Sequence, residues 1–144
     1  MSAEKTNAER LEQLYSTFEE EGFAATAEVA EAIFHPEVEF NPLAAGDAGG
    51  RTYRGRDGML AFFGELNEAY EEVRYEPPQF HPVGDELVIA FTRMVGVARE
   101  TGLPMRQDLP LVYEFNGEGQ VMCVTAHETA ADALEAAERG HADA

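Results

Sequence analysis

Apolar positions recur along this chain at two different periods, and the period changes once, near Tyr70. Before that point the spacing is helical. Thr6-x-x-Glu9 forms a capping box ahead of Leu11, Leu14, Tyr15 and Phe18, which follow i, i+3, i+4, i+7. Gly22 predicts the end of this first helix. A second helix is predicted from Thr26 to Phe34, with Val29, Ile33 and Phe34 apolar and Pro36 as its stop. Val38–Phe40 reads as a short strand, and Leu43–Gly50 as a glycine-rich loop that makes a candidate lid or rim. In Arg51–Tyr70 an extended segment leads to a turn in which Gly55 and Gly58 flank Arg56 and Asp57. Met59, Phe62, Phe63, Leu66 and Tyr70 then predict a third helix with one core-facing stripe.

After Val73 the pattern is that of strands. Val73–His81 is extended, and Pro77-Pro78 marks it as an edge strand or a bulge. Turns at Gly84-Asp85, Thr101-Gly102 and Asn116–Gly119 separate Leu87–Arg99, Leu103–Phe115 and Val121–His127. Thr129–Arg139 is a short alanine-rich helix. The strand beginning at Leu87 is apolar on both parities: Leu87, Ile89, Phe91, Val95 and Val97 on one side, and Val88, Ala90, Met94 and Gly96 with Thr92 on the other. Such a strand must be covered on both faces. With helices on one face, a second subunit is the simplest cover for the other, which predicts a homodimer through the outer face of the sheet. The pattern as a whole predicts an α+β fold in which a curved, mostly antiparallel sheet wraps about three helices.

Composition narrows the function. The 144 residues form a single domain spanning 1–144, with a core from about 7 to 137 and a loose tail at 140–144. The excess of 28 acidic over 10 basic residues gives a net charge of −18, which argues against nucleic acid and anionic membranes as partners. No apolar run approaches the roughly eighteen residues of a spanning helix, and the polar, acidic N-terminal stretch does not resemble a secretory signal. Cys123 is the single cysteine and has no internal partner. These features predict a cytoplasmic protein. Ser2 and Ser16 are the only serines and Lys5 the only lysine, which disfavours serine-nucleophile and Schiff-base chemistry. His127-Glu128 begins like a zinc motif, but Ala131 stands where the second histidine would be. No metal or cofactor is expected.

Five short pieces, LxxLYxxF (Leu11–Phe18), HPEVEFNP (His35–Pro42), YRGRDGMLAFF (Tyr53–Phe63), Gly84-Asp85 and YEFNGEGQV (Tyr113–Val121), stand in an order and spacing that resembles the SnoaL-like members of the nuclear transport factor 2-like superfamily. The resemblance covers roughly Asn7 to Ala137 and implies a cone-shaped fold around an internal pocket for a hydrophobic small molecule. The superfamily includes polyketide cyclases, ketosteroid isomerases, epoxide hydrolases and non-enzymatic binding proteins. The implied function is therefore acid/base catalysis of the cyclase, isomerase or hydrolase type on a hydrophobic carbonyl or polycyclic compound, or a passive ligand-binding or dimerisation module. In the ketosteroid isomerase pattern the oxyanion tyrosine falls on Tyr15, the general base on Asn41 and the second oxyanion donor on Leu111. An amide cannot act as the base, so that isomerase activity is not expected. Arg106-x-Asp108 offers epoxide-hydrolase residue types on a different strand from the expected one.

The same resemblance places Thr92, Met94, Leu109, Leu111, Tyr113, Val124 and Ala126 on the pocket side of the sheet, with Phe63 from the third helix as a further pocket residue. Glu128 has inward parity and is the first acid/base candidate, since apolar surroundings raise a carboxyl pKa towards neutrality. It sits equally well as a complement to the dipole of the last helix. Tyr15 either donates to a ligand carbonyl or is a core residue. Asn41 either orients a ligand or water, or makes a turn before Pro42. His127, Cys123 and Thr125 have outward parity, and Arg54 and Arg56 are expected in surface salt bridges.

Overall fold

The computed structural model describes residues 6–41, 53–84, 86–127 and 129–143, without the side chains at 18, 21–30, 59, 63, 66, 67, 73–75, 77, 107 and 140–143. The predicted loop 43–50 and Glu128 lie outside the described residues.

The chain opens with α1 (Asn7–Ile33), a single helix of 27 residues where two were expected. Gly22 does not break it. One interior glycine costs about 1 kcal/mol against alanine, and the alanine-rich stretch that follows favours helix enough to absorb that. The capping box forms as read: the Glu9 amide donates to Thr6 Oγ1 at 3.1 Å, and the Thr6 amide to Glu9 Oε1 at 2.9 Å. Pro36 acts earlier than expected. It disfavours helical geometry at His35, so the helix ends at Ile33 and Phe34 opens β1 (Phe34–Asn41). α1 brings no basic residue to its last turn. Arg56 supplies one from across the fold, donating through Nε to the Phe34 carbonyl at 3.0 Å and through Nη2 to the Glu31 carbonyl at 2.8 Å. Arg54 forms the expected surface pair with Glu39 at 3.5 Å, whereas among the described residues Arg56 acts as a helix cap.

β2 (Tyr53–Arg54) leads into α2 (Gly55–Ala69), and Tyr70, expected on that helix, instead begins β3 (Tyr70–Val83). β4 (Leu87–Ala98), β5 (Pro104–Phe115), β6 (Val121–Ala126) and α3 (Ala130–Asp143) complete the order. The strands form one curled sheet in the order β2-β1-β6-β5-β4-β3, antiparallel except for the β1–β6 pair. β3 is an edge strand, and its register shifts between Glu76 and Gln79, where Pro77 and Pro78 cannot donate to the ladder.

α1 and α2 pack on one face. There Leu11, Leu14, Tyr15, Ile33 and Phe34 join Val88, Ala90, Met94, Leu109, Leu111, Tyr113 and Val124 in the main core. Each of the larger side chains contributes about 1.5–3 kcal/mol by burial. The opposite face carries a second cluster in which α3 places Ala133 and Ala137, both fully buried, on Leu87, Ile89 and Val112. This corrects the premise that only a second subunit could cover the outer face. A helix whose contact residues are alanines approaches the sheet closely and covers one end of the apolar row, leaving Phe91, Val95 and Val97 half-buried.

Candidate functional site

The polar centre of the inner face is built from two tyrosines. Tyr15 lies on the buried stripe of α1, and its ring is 5.9 Å from that of Phe80 on β3, at an interplanar angle of 46°. Tyr113 points to the same side of β5 as Leu111 and Phe115, as strand alternation requires. The two hydroxyl oxygens are 2.5 Å apart and buried. Burial in apolar surroundings pushes the Tyr113 pKa well above its ordinary value, and the bond to Tyr15 offsets only part of that. Tyr113 therefore keeps its proton throughout the neutral range and is not a base, and either hydroxyl can be the donor between the two. In such a pair one hydroxyl donates and the other accepts, so the accepting oxygen keeps its own proton for a further bond.

The predicted pocket residues Thr92, Met94, Leu109, Leu111, Tyr113, Val124 and Ala126 are brought together around this pair, each at most 6% exposed. Thr92 is the buried polar residue among them, and its hydroxyl donates to the Leu109 carbonyl across the β4–β5 ladder, so the sheet itself uses it. Phe63 belongs to α2, and its side chain is among those not described. Asn41 is the last residue of β1, half-buried and in register with Thr125, and it alternates with the inward Phe40. It is not part of the core cluster around the tyrosines. Glu128, the leading acid/base candidate, is outside the described residues.

Towards β1 and α2 the inner face ends in three packed rings. Phe40 and Phe62 meet edge to face at 4.7 Å and Tyr53 and Phe62 at 5.4 Å, while Phe40 and Tyr53 lie tilted at 6.4 Å. Tyr53 and Phe62 are half-buried, and the Tyr53 hydroxyl donates to Glu65 Oε1 at 2.8 Å. The sequence marks Tyr53 as a pocket-wall candidate and Phe62 as core-facing, but not their packing with Phe40, because β2 is only two residues long, too short for an alternation to be read.

On the outer face Thr125 Oγ1 and His127 Nε2 are 3.1 Å apart, and desolvation lowers the His127 pKa against the opposing pull of Asp132. Asp108 and Arg106 are both exposed, as expected. Asp108 accepts from Arg93 Nε at 2.7 Å, and Arg93 also reaches Glu76 at 3.6 Å. Neither Asp108 nor Arg106 belongs to the inner site. Among the described residues no three His, Cys, Asp or Glu side chains gather as they would around a metal, and no helix is long and apolar enough to cross a membrane.

The SnoaL-like domain family matches residues 11–124, and the chain belongs to that family. An NTF2-like protein from Burkholderia thailandensis E264 superposes with a TM-score of 0.72 at 21% identity, over 91% of this chain and 98% of the other. TerC, co-crystallised with polyporic acid, superposes with a TM-score of 0.69 at 20% identity, over 92% and 98%. A Catenulispora acidiphila protein with a ketosteroid isomerase-like fold, in complex with trimethylamine, gives 0.67 at 14% identity, over 91% and 92%. At these identities the likeness is one of fold. No curated protein matches the chain.

Proposed function

We propose that this chain binds a hydrophobic small molecule bearing a carbonyl, enol or phenol oxygen on the inner face of its sheet, with the Tyr15–Tyr113 pair as the polar anchor. The observation that carries this reading is the pair itself: two hydroxyls 2.5 Å apart at the centre of an otherwise apolar face. Small-molecule sites in proteins have this character, mostly apolar with a few convergent polar groups. With Tyr113 held neutral by burial, the pair favours an oxygen acceptor and can donate to it without losing a proton. The half-buried rings of Tyr53 and Phe62, packed edge to face beside the buried Phe40, offer an apolar approach to the same face. The polyporic acid co-crystallised with the fold neighbour TerC is a compound of this class.

Catalysis is a further step in the proposal and rests on Glu128 as the acid/base group, with Tyr15 as donor and Asn41 as an orienting amide. The tyrosine pair alone supports binding without turnover, and that passive reading is favoured by the proton Tyr113 retains. Ketosteroid isomerase activity is excluded from the proposal, because Asn41 and Leu111 replace the base and the second oxyanion donor. The test is a melting-temperature screen of matched planar compounds with and without an oxygen substituent. The reading predicts stabilisation by phenols, quinones and cyclic ketones and a weaker response to the parent hydrocarbons. Equal responses would remove the tyrosine pair from the site. Turnover of any bound compound is then compared in Glu128→Gln: loss of rate with binding retained supports the catalytic reading, and an unchanged rate rejects Glu128.

A further inference from the structure

A separate groove of about 630 Å3 lies between the first turn of α1, the β3–β4 turn and the β5–β6 turn. Its lining includes Arg10, Glu86, Asn116, Glu118 and Gly119. Arg10 is unusual here. Arg54, Arg93, Arg99 and Arg139 each pair with a carboxylate, and Arg56 caps α1. The Arg10 Nε is buried with no hydrogen-bond partner, although two glutamates line the same groove. A buried guanidinium nitrogen left without a partner in a chain of net charge −18 needs a physical reason.

The reason lies in the β5–β6 turn. Gly119 has φ +80°, and a Cβ there would sit 2.6 Å from Arg10 Cζ and 2.8 Å from Nη1. The guanidinium is therefore seated against bare glycine backbone. The turn beneath it is stiff, since Asn116 Oδ1 accepts from the Glu118 amide at 2.9 Å and from the Gln120 amide at 3.0 Å. At the N-terminus of α1, Thr6 and Glu9 cap each other's amides. What remains is one fixed guanidinium and two carboxylates around a shared open volume.

We infer that this groove binds a zwitterion of the amino-acid class, with its carboxylate on Arg10 and its ammonium towards Glu86 and Glu118. A simple anion would meet two glutamates in a strongly acidic protein, and a simple cation would meet the arginine. A ligand carrying both signs complements both parts of the lining, and the carboxylate–guanidinium contact is the stronger kind of hydrogen bond. The site is independent of the tyrosine pair.

The test is nuclear magnetic resonance of the Arg10 Nε–H and Gly119 amide signals during titration. The probes are glycine, β-alanine and γ-aminobutyrate, whose charges stand progressively further apart, with acetate and methylammonium as single-charge controls at matched ionic strength. The inference predicts a saturable shift with at least one zwitterion, about tenfold tighter than either control, the factor expected for one added charge-assisted bond. Arg10→Gln and Gly119→Ala should each weaken that binding about tenfold or more, whereas Arg106→Gln and Tyr113→Phe should not change it. If Arg10→Gln fails to fold, Arg10→Lys replaces it, with a loss of affinity again expected. A saturable shift in none of the titrations, acetate binding as tightly as the zwitterions, or binding that survives the Arg10 substitution would overturn the inference.

Discussion

The hydroxyls of Tyr15 and Tyr113 meet at 2.5 Å although 98 residues separate them along the chain. The contact ties the first helix to the middle of the sheet through one shared hydrogen bond. Removing one hydroxyl leaves its partner buried without that bond, a loss of about 1–3 kcal/mol. Tyr15→Phe and Tyr113→Phe should each lower the urea midpoint by that order. The double variant should cost less than the sum of the two, because both lesions remove the same bond. Additive costs would show that the two hydroxyls do not depend on each other.

The raised pKa of Tyr113 gives the pair a pH signature. An unfolded tyrosine ionises near about pH 10, whereas the folded Tyr113 resists ionisation to higher pH. Below the unfolded value both states are protonated and the stabilisation is fully present. Above it only the unfolded state releases the proton, so stability falls as pH rises towards the folded value. Wild-type protein should therefore lose stability in denaturant titrations above about pH 10, and Tyr113→Phe should flatten that slope. An identical slope in the variant would assign the effect to other groups.

Arg56 reaches two carbonyls at the end of α1, a bond set that lysine cannot reproduce with a single ammonium. Arg56→Ala should cost about 1–3 kcal/mol in chemical denaturation and Arg56→Lys most of that. Arg54→Ala, which breaks an exposed pair with Glu39, should cost no more than about 1 kcal/mol. Equal costs at the two positions would mean that the cap contributes nothing beyond surface charge.

Ala137 is fully buried against the outer face of the sheet, in the cluster with Leu87, Ile89 and Val112. Ala137→Leu should overpack this contact and destabilise by about 1–3 kcal/mol. The rest of that face presents Phe91, Arg93, Asp108 and Pro110 along an open groove of about 560 Å3. We propose that a second copy of this chain covers it. Phe91→Glu should then convert a dimer to a monomer in light scattering, and a wild type that is already monomeric at high micromolar concentration would contradict the proposal.

The switch from helical to strand period near Tyr70 was legible in the sequence, because hydrophobic patterning reports which faces are buried. The doubly apolar strand Leu87–Ala98 was legible for the same reason. What covers its outer face was not, since the apolar positions Ala133, Leu134 and Ala137 mark a packed helix but do not say which face of the sheet it packs on. Gly22 misled because a glycine signal is local, while helix continuation depends on the residues beyond it. The family resemblance placed Tyr113 on the inner face, and helical spacing placed Tyr15 on the buried stripe of the first helix. Their meeting depends on how α1 crosses the sheet, which no local pattern encodes.

The most direct test of the proposed site is a pair of fluorescence titrations, 2-naphthol against naphthalene, on wild type and on Tyr113→Phe. The two ligands share a ring system and differ by one hydroxyl, so their affinity ratio isolates the polar anchor. The proposal predicts that wild type prefers 2-naphthol by about tenfold, the factor for one hydrogen bond to a buried donor, and that Tyr113→Phe loses that preference while still binding naphthalene. Equal affinities in wild type, or a preference that survives the loss of the Tyr113 hydroxyl, would contradict it.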